Sequence, residues 1–412
     1  MNRTLREHAE QIIRGSIAAV QPDAAVQRAL AGRTFPGRVV LVAAGKAAWQ
    51  MAKAALDVLG ERIDSGVVVT KYGHVMGELP GVTCYEAGHP VPDENSFRGT
   101  EAALRLVEGL SPRDTVLFLL SGGGSALFEK PLLPAAQLQD ITAQLLECGA
   151  DIVEINTIRK RLSGVKGGRF AQLCAPAQVE AVVLSDILGD PLDMIASGPA
   201  CADSATADDA RRIAEKYALR LSPAARELLA VETPKQLHNV HTQINGSVRE
   251  LCAAAAAVCH RLGYTPCVLT DRLCCQAREA GSMLASVALT HADDGCDLAF
   301  IAGGETVVRL TGHGKGGRNQ ELALAAAQGI RGLSHVAVFS VGSDGTDGPT
   351  DAAGGYADGD TCDTLLAQGV RIDDVLREND AYHALGKADG LLFTGPTGTN
   401  VNDVAVVLIR AK

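Results

Sequence analysis

The strand-like runs of this chain are apolar at every position, not at every second one. "RVVLVAAGKAAWQMAKAAL" reads as a strand, a glycine turn and a helix, and "SGVVVT", "TVLFLLSGGGSAL", "EAVVLSDI", "PCVLT", "DLAFIAGGETVVRL", "HVAVFSVGSDG" and "VAVVLIRA" supply further strands between Ala/Leu segments of helical period. A strand that is apolar throughout is dry on both faces. Strands of that kind separated by helices predict a largely parallel sheet covered on each side, an α/β fold. Ligands in such folds gather at the carboxyl ends of the strands, and nearly every strand here runs out into Gly, Ser or Asp.

At 412 residues the chain exceeds one ordinary core, so two domains are expected. The stretch 222–243, "SPAARELLAVETPKQLHNVHTQ", has two prolines and no strand pattern. It marks a division into 1–235 and 236–412. A net charge of −10 excludes broad nucleic-acid binding, which needs a wide basic surface. It leaves room for a small anionic ligand held by a few buried cations. The N-terminus lacks the continuous apolar core of a signal peptide, and no run reaches the roughly 18 apolar residues of a membrane span. A cytoplasmic location, no membrane partner and a monomer or homodimer are the expectations. The 11 cysteines read as reduced thiols, mostly small core residues.

The tetrapeptide KGGR occurs twice, at 166–169 and 315–318. Each copy follows an apolar strand running into glycines, "LFLLSGGGSAL" and "AFIAGGETVV". Each precedes a strand ending in a Ser/Asp-rich loop, "VVLSDILGDPLD" and "VFSVGSDGTDGPTD". The echo suggests two related α/β halves whose strand ends face each other across a cleft; the alternative is chance likeness of two glycine-rich loops.

Several constellations carry chemistry. Gly45 and Lys46 stand where the first strand yields to a helix, whose free N–H groups attract anions. Ser121, Gly122, Gly123, Gly124 and Ser125 form a glycine loop whose amides can approach phosphate oxygens, although no Walker motif is present. Asp186, Asp190 and Asp193 form one carboxylate group; Asp344, Asp347 and Asp351 form another. Oxygen ligands on glycine loops suit Mg²⁺, or one carboxylate accepts the proton of a substrate hydroxyl; turn chemistry is the plain alternative. Gly312, Gly314 and Gly317 spell G-x-G-x-x-G, yet no acidic residue lies between Leu322 and Ser343 to meet a ribose. Arg318 offers a fork to a carboxylate or phosphate instead. Thr397, Thr399, Asn400 and Asn402 either bind a polar ligand or satisfy a turn. His89, before Pro90, reads as structural.

Taken in order, "AAGKAA", "EAGHPVPDENS", "SGGGSAL", "INTIRKRLSGVKGGR", "SDILGDPLDMIASGP", "GGETVVRLTGHGKGGRNQELALA", "GSDGTDGPTDAAGG" and "TGPTGTNVNDV" resemble the class II glycerate kinases, whose C-terminal portion is the MOFRL domain. The resemblance implies a Rossmann-like three-layer N-terminal domain and a smaller α/β C-terminal one, with the active site in the cleft between them. It implies transfer of the ATP γ-phosphoryl group to D-glycerate with Mg²⁺, giving 2-phosphoglycerate, and Lys46 and Arg318 as the essential basic pair. With the residue reading, it makes Asp186 the third catalytic residue and Asp190 and Asp347 the metal ligands. Gly45, Ser121, Gly122, Gly123, Gly124, Ser125, Lys166, Glu305, Thr397 and Asn400 would hold the nucleotide. The first KGGR copy acts on ligand through Arg159 and Lys166, or is a structural relic. Some relatives carry the label hydroxypyruvate reductase, so reduction by NAD(P)H is the alternative activity, and ligand binding without turnover a third.

Overall fold

The computed structural model, which describes residues 2–412, places the uninterrupted apolar runs in two sheets, one in each of two units. The first unit is Pro22–Asn245. Its strands are β1 (Val39–Ala44), β2 (Ile63–Lys71), β3 (Val82–Ala87), β4 (Thr115–Leu120), β5 (Gln178–Leu184) and β6 (Val240–Gly246). They lie in the order β3-β2-β1-β4-β5-β6, and β3 through β5 pair in parallel. This is the 3-2-1-4-5-6 order of doubly wound folds, whose crevice opens where the order reverses. Here that point lies between β1 and β4.

Every residue of β1 and of β4 is buried, and the reason is visible residue by residue. Val39, Leu41 and Ala43 pack with Ala48, Met51 and Ala55 of the helix Ala48–Leu59 on one face. Val40, Val42 and Ala44 pack with Ala103, Leu104 and Val107 of the helix Glu94–Val107 on the other. That second helix is started by a reciprocal capping box between Asp93 and Ser96, which satisfies two otherwise orphaned N–H groups.

The second unit joins the residues up to Gln21 to Gly246–Lys412. Its strands are β7 (Thr265–Leu273), β8 (Leu298–Gly304), β9 (Val336–Gly342), β10 (Gly354–Asp358), β11 (Leu391–Leu392) and β12 (Asp403–Ile409), in the order β11-β10-β9-β12-β8-β7. This sheet is mixed, not largely parallel. β12 lies antiparallel between β8 and β9, because the chain returns from β11 through a loop with no crossover helix. Both faces remain covered, so β9 and β12 are still buried throughout, and their apolar runs look like those of a parallel strand.

The units depart from the expected division in two ways. The boundary falls at 245/246, not 235/236, because the polar run Val240–Gly246 is an edge strand, β6, beside β5. The first helix, Arg3–Ala19, belongs with the C-terminal unit, where it packs on the helix Val248–Arg261. Thr399 Oγ1 donates to the Val20 carbonyl at 2.9 Å, fastening the end of that segment to the same unit. Leu5 is wholly buried in it. Leu5→Ala should therefore destabilise the C-terminal unit by about 2–5 kcal/mol, read as an earlier urea transition for probes on 246–412 than for probes on 22–245.

Candidate active site

β1 ends at Ala44, opposite Leu120 at the end of β4, and both strands turn at once. Gly45, at φ 127°, leads into Lys46 and the helix Ala48–Leu59. The two turns are stitched together: the Lys46 N–H donates to the Gly122 carbonyl at 2.9 Å and the Ser121 N–H to the Ala44 carbonyl at 3.0 Å. The Ser121 hydroxyl accepts from the Ala47 N–H at 3.0 Å. The N–H groups of Gly122 and Gly123 have no partner among the described residues.

Two consecutive glycines make room for the chemistry. A Cβ on Gly122 would stand 2.2 Å from Asp186 Oδ2, and one on Gly123 would stand 3.0 Å from His89 Nε2 and 3.2 Å from Lys46 Cγ. Asp186 follows β5, His89 follows β3 and Lys46 follows β1, so the parallel sheet delivers all three at its carboxyl end. His74, beyond β2, joins them by placing Nδ1 2.9 Å from the Lys46 carbonyl. Burial, with Lys46 and Lys71 nearby, lowers the pKa of His89 against the opposing pull of Asp186.

Deeper under the loop, Ser125 Oγ and Ser197 Oγ lie 3.0 Å apart, Ser197 donates to Asn156 Oδ1 at 3.0 Å, and Arg159 Nη2 donates to the Ser125 carbonyl at 3.2 Å. Asp193 is engaged by Lys160 and Ser204. Asp190, held at φ 53°, keeps a buried Oδ1 with no hydrogen-bond partner. A carboxylate oxygen left in that state fits a cation whose remaining ligands are phosphate oxygens and water, the usual mode for Mg²⁺. Among the described residues no three His, Cys, Asp or Glu side chains group as a metal cage.

Lys166 does not face this site. It is fully buried, donating to the Phe128 carbonyl at 2.8 Å and pairing with Glu129 Oε2 at 3.1 Å. Burial brings its pKa down to about 8 while Glu129 pulls the other way. Arg169 is likewise spent on the Lys160 and Ser163 carbonyls. Both basic residues of the first KGGR copy are thus bonded to internal partners.

The second copy has the opposite fate. Arg318 opens the helix Arg318–Gly329 and sets Nε 2.5 Å from Asp403 Oδ2, Nη2 3.0 Å from Asp403 Oδ1 and Nη1 3.0 Å from Glu305 Oε1. Burial works against the guanidinium's charge, but Asp403 and Glu305 outweigh it and raise its pKa. Glu305 Oε2 accepts from Asn402 Nδ2 at 3.3 Å. Asp403 is nearly buried, whereas Arg318 and Glu305 keep about a third to a half of their side chains exposed.

Asp347 departs from its expected role as a metal ligand. It is buried, and both its oxygens cap the helix Arg318–Gly329, accepting from the Asn319 N–H at 3.1 Å and the Gln320 N–H at 2.9 Å. Burial pushes its pKa up to about 6 against those bonds. Thr397 Oγ1 donates to the Ser343 carbonyl at 2.5 Å, and Asn400 Oδ1 accepts from the Asn402 N–H at 3.3 Å. Both polar groups serve the loop before β12. Sequence reasoning read His89 as structural and gave Asp403 no role. The Asp403 signal was present, a lone carboxylate opening an otherwise apolar strand.

Comparison with known proteins identifies the family. Residues 8–230 match a family described as a domain of unknown function, DUF4147, and residues 298–403 match the MOFRL family. The chain is 52% identical to the D-glycerate 2-kinase of Thermotoga maritima, over 98% of this chain and 99% of that protein. It is 39% identical to the glycerate 2-kinase of Pyrococcus horikoshii, over 99% and 98%. The crystal structure of glycerate kinase from Thermotoga maritima superposes with a TM-score of 0.94 at 50% identity, covering 98% of this chain and 99% of that one.

The buried Lys166–Glu129 pair gives a direct test of the scaffold role. Lys166→Met alone strands a buried carboxylate and should cost roughly 3–5 kcal/mol. Adding Glu129→Gln should recover most of that loss in urea unfolding. A ligand-binding lysine would show no such recovery.

Proposed function

The chain belongs to the MOFRL-containing glycerate kinase family and phosphorylates glycerate, and on that premise we propose how its residues transfer the γ-phosphoryl group of ATP to the 2-hydroxyl of D-glycerate. Phosphoryl transfer asks little covalent help of a protein; it asks for cations and donors around the phosphate and an aligned hydroxyl. The observation that carries the reading is the meeting of Lys46, the unpartnered Gly122 and Gly123 amides and Asp186 where the sheet order reverses.

In this reading the two amides and the Lys46 ammonium hold the phosphate oxygens. Asp186 orients the 2-hydroxyl and takes its proton as the oxygen bonds to the γ-phosphorus. The bond from that phosphorus to the β-bridging oxygen breaks, and ADP leaves. Arg318 is an anion-binding cation built within the C-terminal unit. Asp403 holds its planar fork in one orientation, and the exposed contact with Glu305 is the one an anionic substrate group replaces. Asp190 would hold Mg²⁺, which neutralises charge on the phosphates when bound.

Reduction by a dinucleotide finds less support. The glycines at 312 and 314 are explained by close packing: a Cβ on Gly312 would stand 2.4 Å from Glu378 Cα, and one on Gly314 would stand 2.5 Å from Asp380 Cβ. Incubation with ATP and D-glycerate followed by ³¹P and ¹H NMR tests the whole reading; 2-phosphoglycerate is the expected product, and NAD(P)H oxidation with hydroxypyruvate would replace it.

Removing a contact to developing charge typically lowers the rate by roughly 10²–10³. Lys46→Ala and Arg318→Lys should each lose that much in kcat/KM, the latter because an ammonium cannot keep the two-pronged bond to Asp403. Arg169→Lys, in the buried copy, should lower stability and leave kcat/KM near wild type once folded. Exhaustive EDTA treatment should abolish turnover, and Mg²⁺ should restore it. Full activity after chelation would remove the metal role from Asp190.

A further inference from the structure

His89 is the one group at the glycine loop that the reaction so far leaves idle. Its ring lies against Gly123 beside Lys46, and Asp186 lies against the preceding glycine. Among the described residues the ring makes no hydrogen bond or ion pair. The titratable groups facing it are Lys46 after β1, Lys71 and His74 at and beyond the end of β2, and Asp186 after β5. A half-buried imidazole with both nitrogens unused is uncommon, since polar groups taken from water normally find partners.

We propose that His89 is a specificity-determining residue that hydrogen-bonds the 3-hydroxyl of D-glycerate. The inference rests on the kinase reading above. Consecutive Cα atoms stand about 3.8 Å apart, so two groups seated over Gly122 and Gly123 are spaced to meet oxygens on neighbouring carbons. Asp186 takes the 2-hydroxyl, and the next oxygen along the substrate falls to His89. The surroundings suit that task. Burial and two lysines favour the neutral form of the ring, and a neutral imidazole carries one donor and one acceptor, the complement of a hydroxyl. A cationic side chain there would instead compete with Lys46 for phosphate.

The test compares D-glycerate with D-lactate, which keeps the carboxylate and the 2-hydroxyl but has a methyl group in place of the hydroxymethyl. KM for D-glycerate and the inhibition constant of D-lactate as a competitor are measured for the wild type, His89→Ala and His89→Phe, the last filling the space without polar atoms. Losing one such hydrogen bond should raise KM for D-glycerate by roughly tenfold, leaving the D-lactate constant and KM for ATP unchanged. Either folded variant suffices. An unchanged KM for D-glycerate overturns the proposal, as does a D-lactate constant that weakens in step with it or a rise confined to KM for ATP. A wild type that forms no 2-phosphoglycerate would sink the kinase reading itself, a result distinct from any of these.

Discussion

The absence of two side chains governs this protein's chemistry. Asp186, His89 and Lys46 can converge only because positions 122 and 123 carry hydrogen where any other residue carries carbon. The same turn leaves two N–H groups without a partner among the described residues. Everything beneath serves to hold that loop still. The Ser125–Ser197–Asn156 chain and the Arg159 bond to the loop carbonyl both fasten it. A loop of glycines has many conformations open to it, so its precision has to come from these surroundings.

The other unit solves a similar problem with charge. Arg318 is gripped on one edge by a buried carboxylate and touched on the other by an exposed one. The buried partner fixes direction, and the exposed partner can be exchanged. Asp347, one turn away, keeps the helix that carries Arg318 in place by capping its first amides.

Much of this was legible because burial on both sheet faces leaves a strong local signature. β1, β4, β8, β9 and β12 are apolar along nearly all their length, and the glycine turns after β1 and β4 are contiguous with their strands. Lys46 and the 121–125 loop could therefore be placed from sequence. What was not legible depends on neighbours far along the chain. β3 and β6 lie at sheet edges and carry Thr, Cys, Gln and Asn, and β10 begins with two glycines. Lys166 looked like a phosphate ligand because nothing local reveals that Glu129 waits for it in the core. Asp347 looked like a metal ligand because the amide it caps, the Asn319 N–H, lies 28 residues earlier in the chain. His89 looked structural because its nearness to Lys46 arises from β3 lying two strands from β1.

The placement of the first helix bears on how the protein is made. Arg3–Ala19 is made before its packing partner, Val248–Arg261, which follows only after the whole of Pro22–Asn245. At ordinary elongation rates that separation is on the order of tens of seconds. Through that interval Leu5, Ile12, Ile13 and Ile17 have no surface to cover them, while the intervening segment already holds a complete sheet and can fold. Arg28 Nη2 donates to the Asn245 carbonyl at 2.6 Å, so folding of that segment also draws its two ends together. The finished insert thereby carries the waiting helix to the place where the last-made strands emerge.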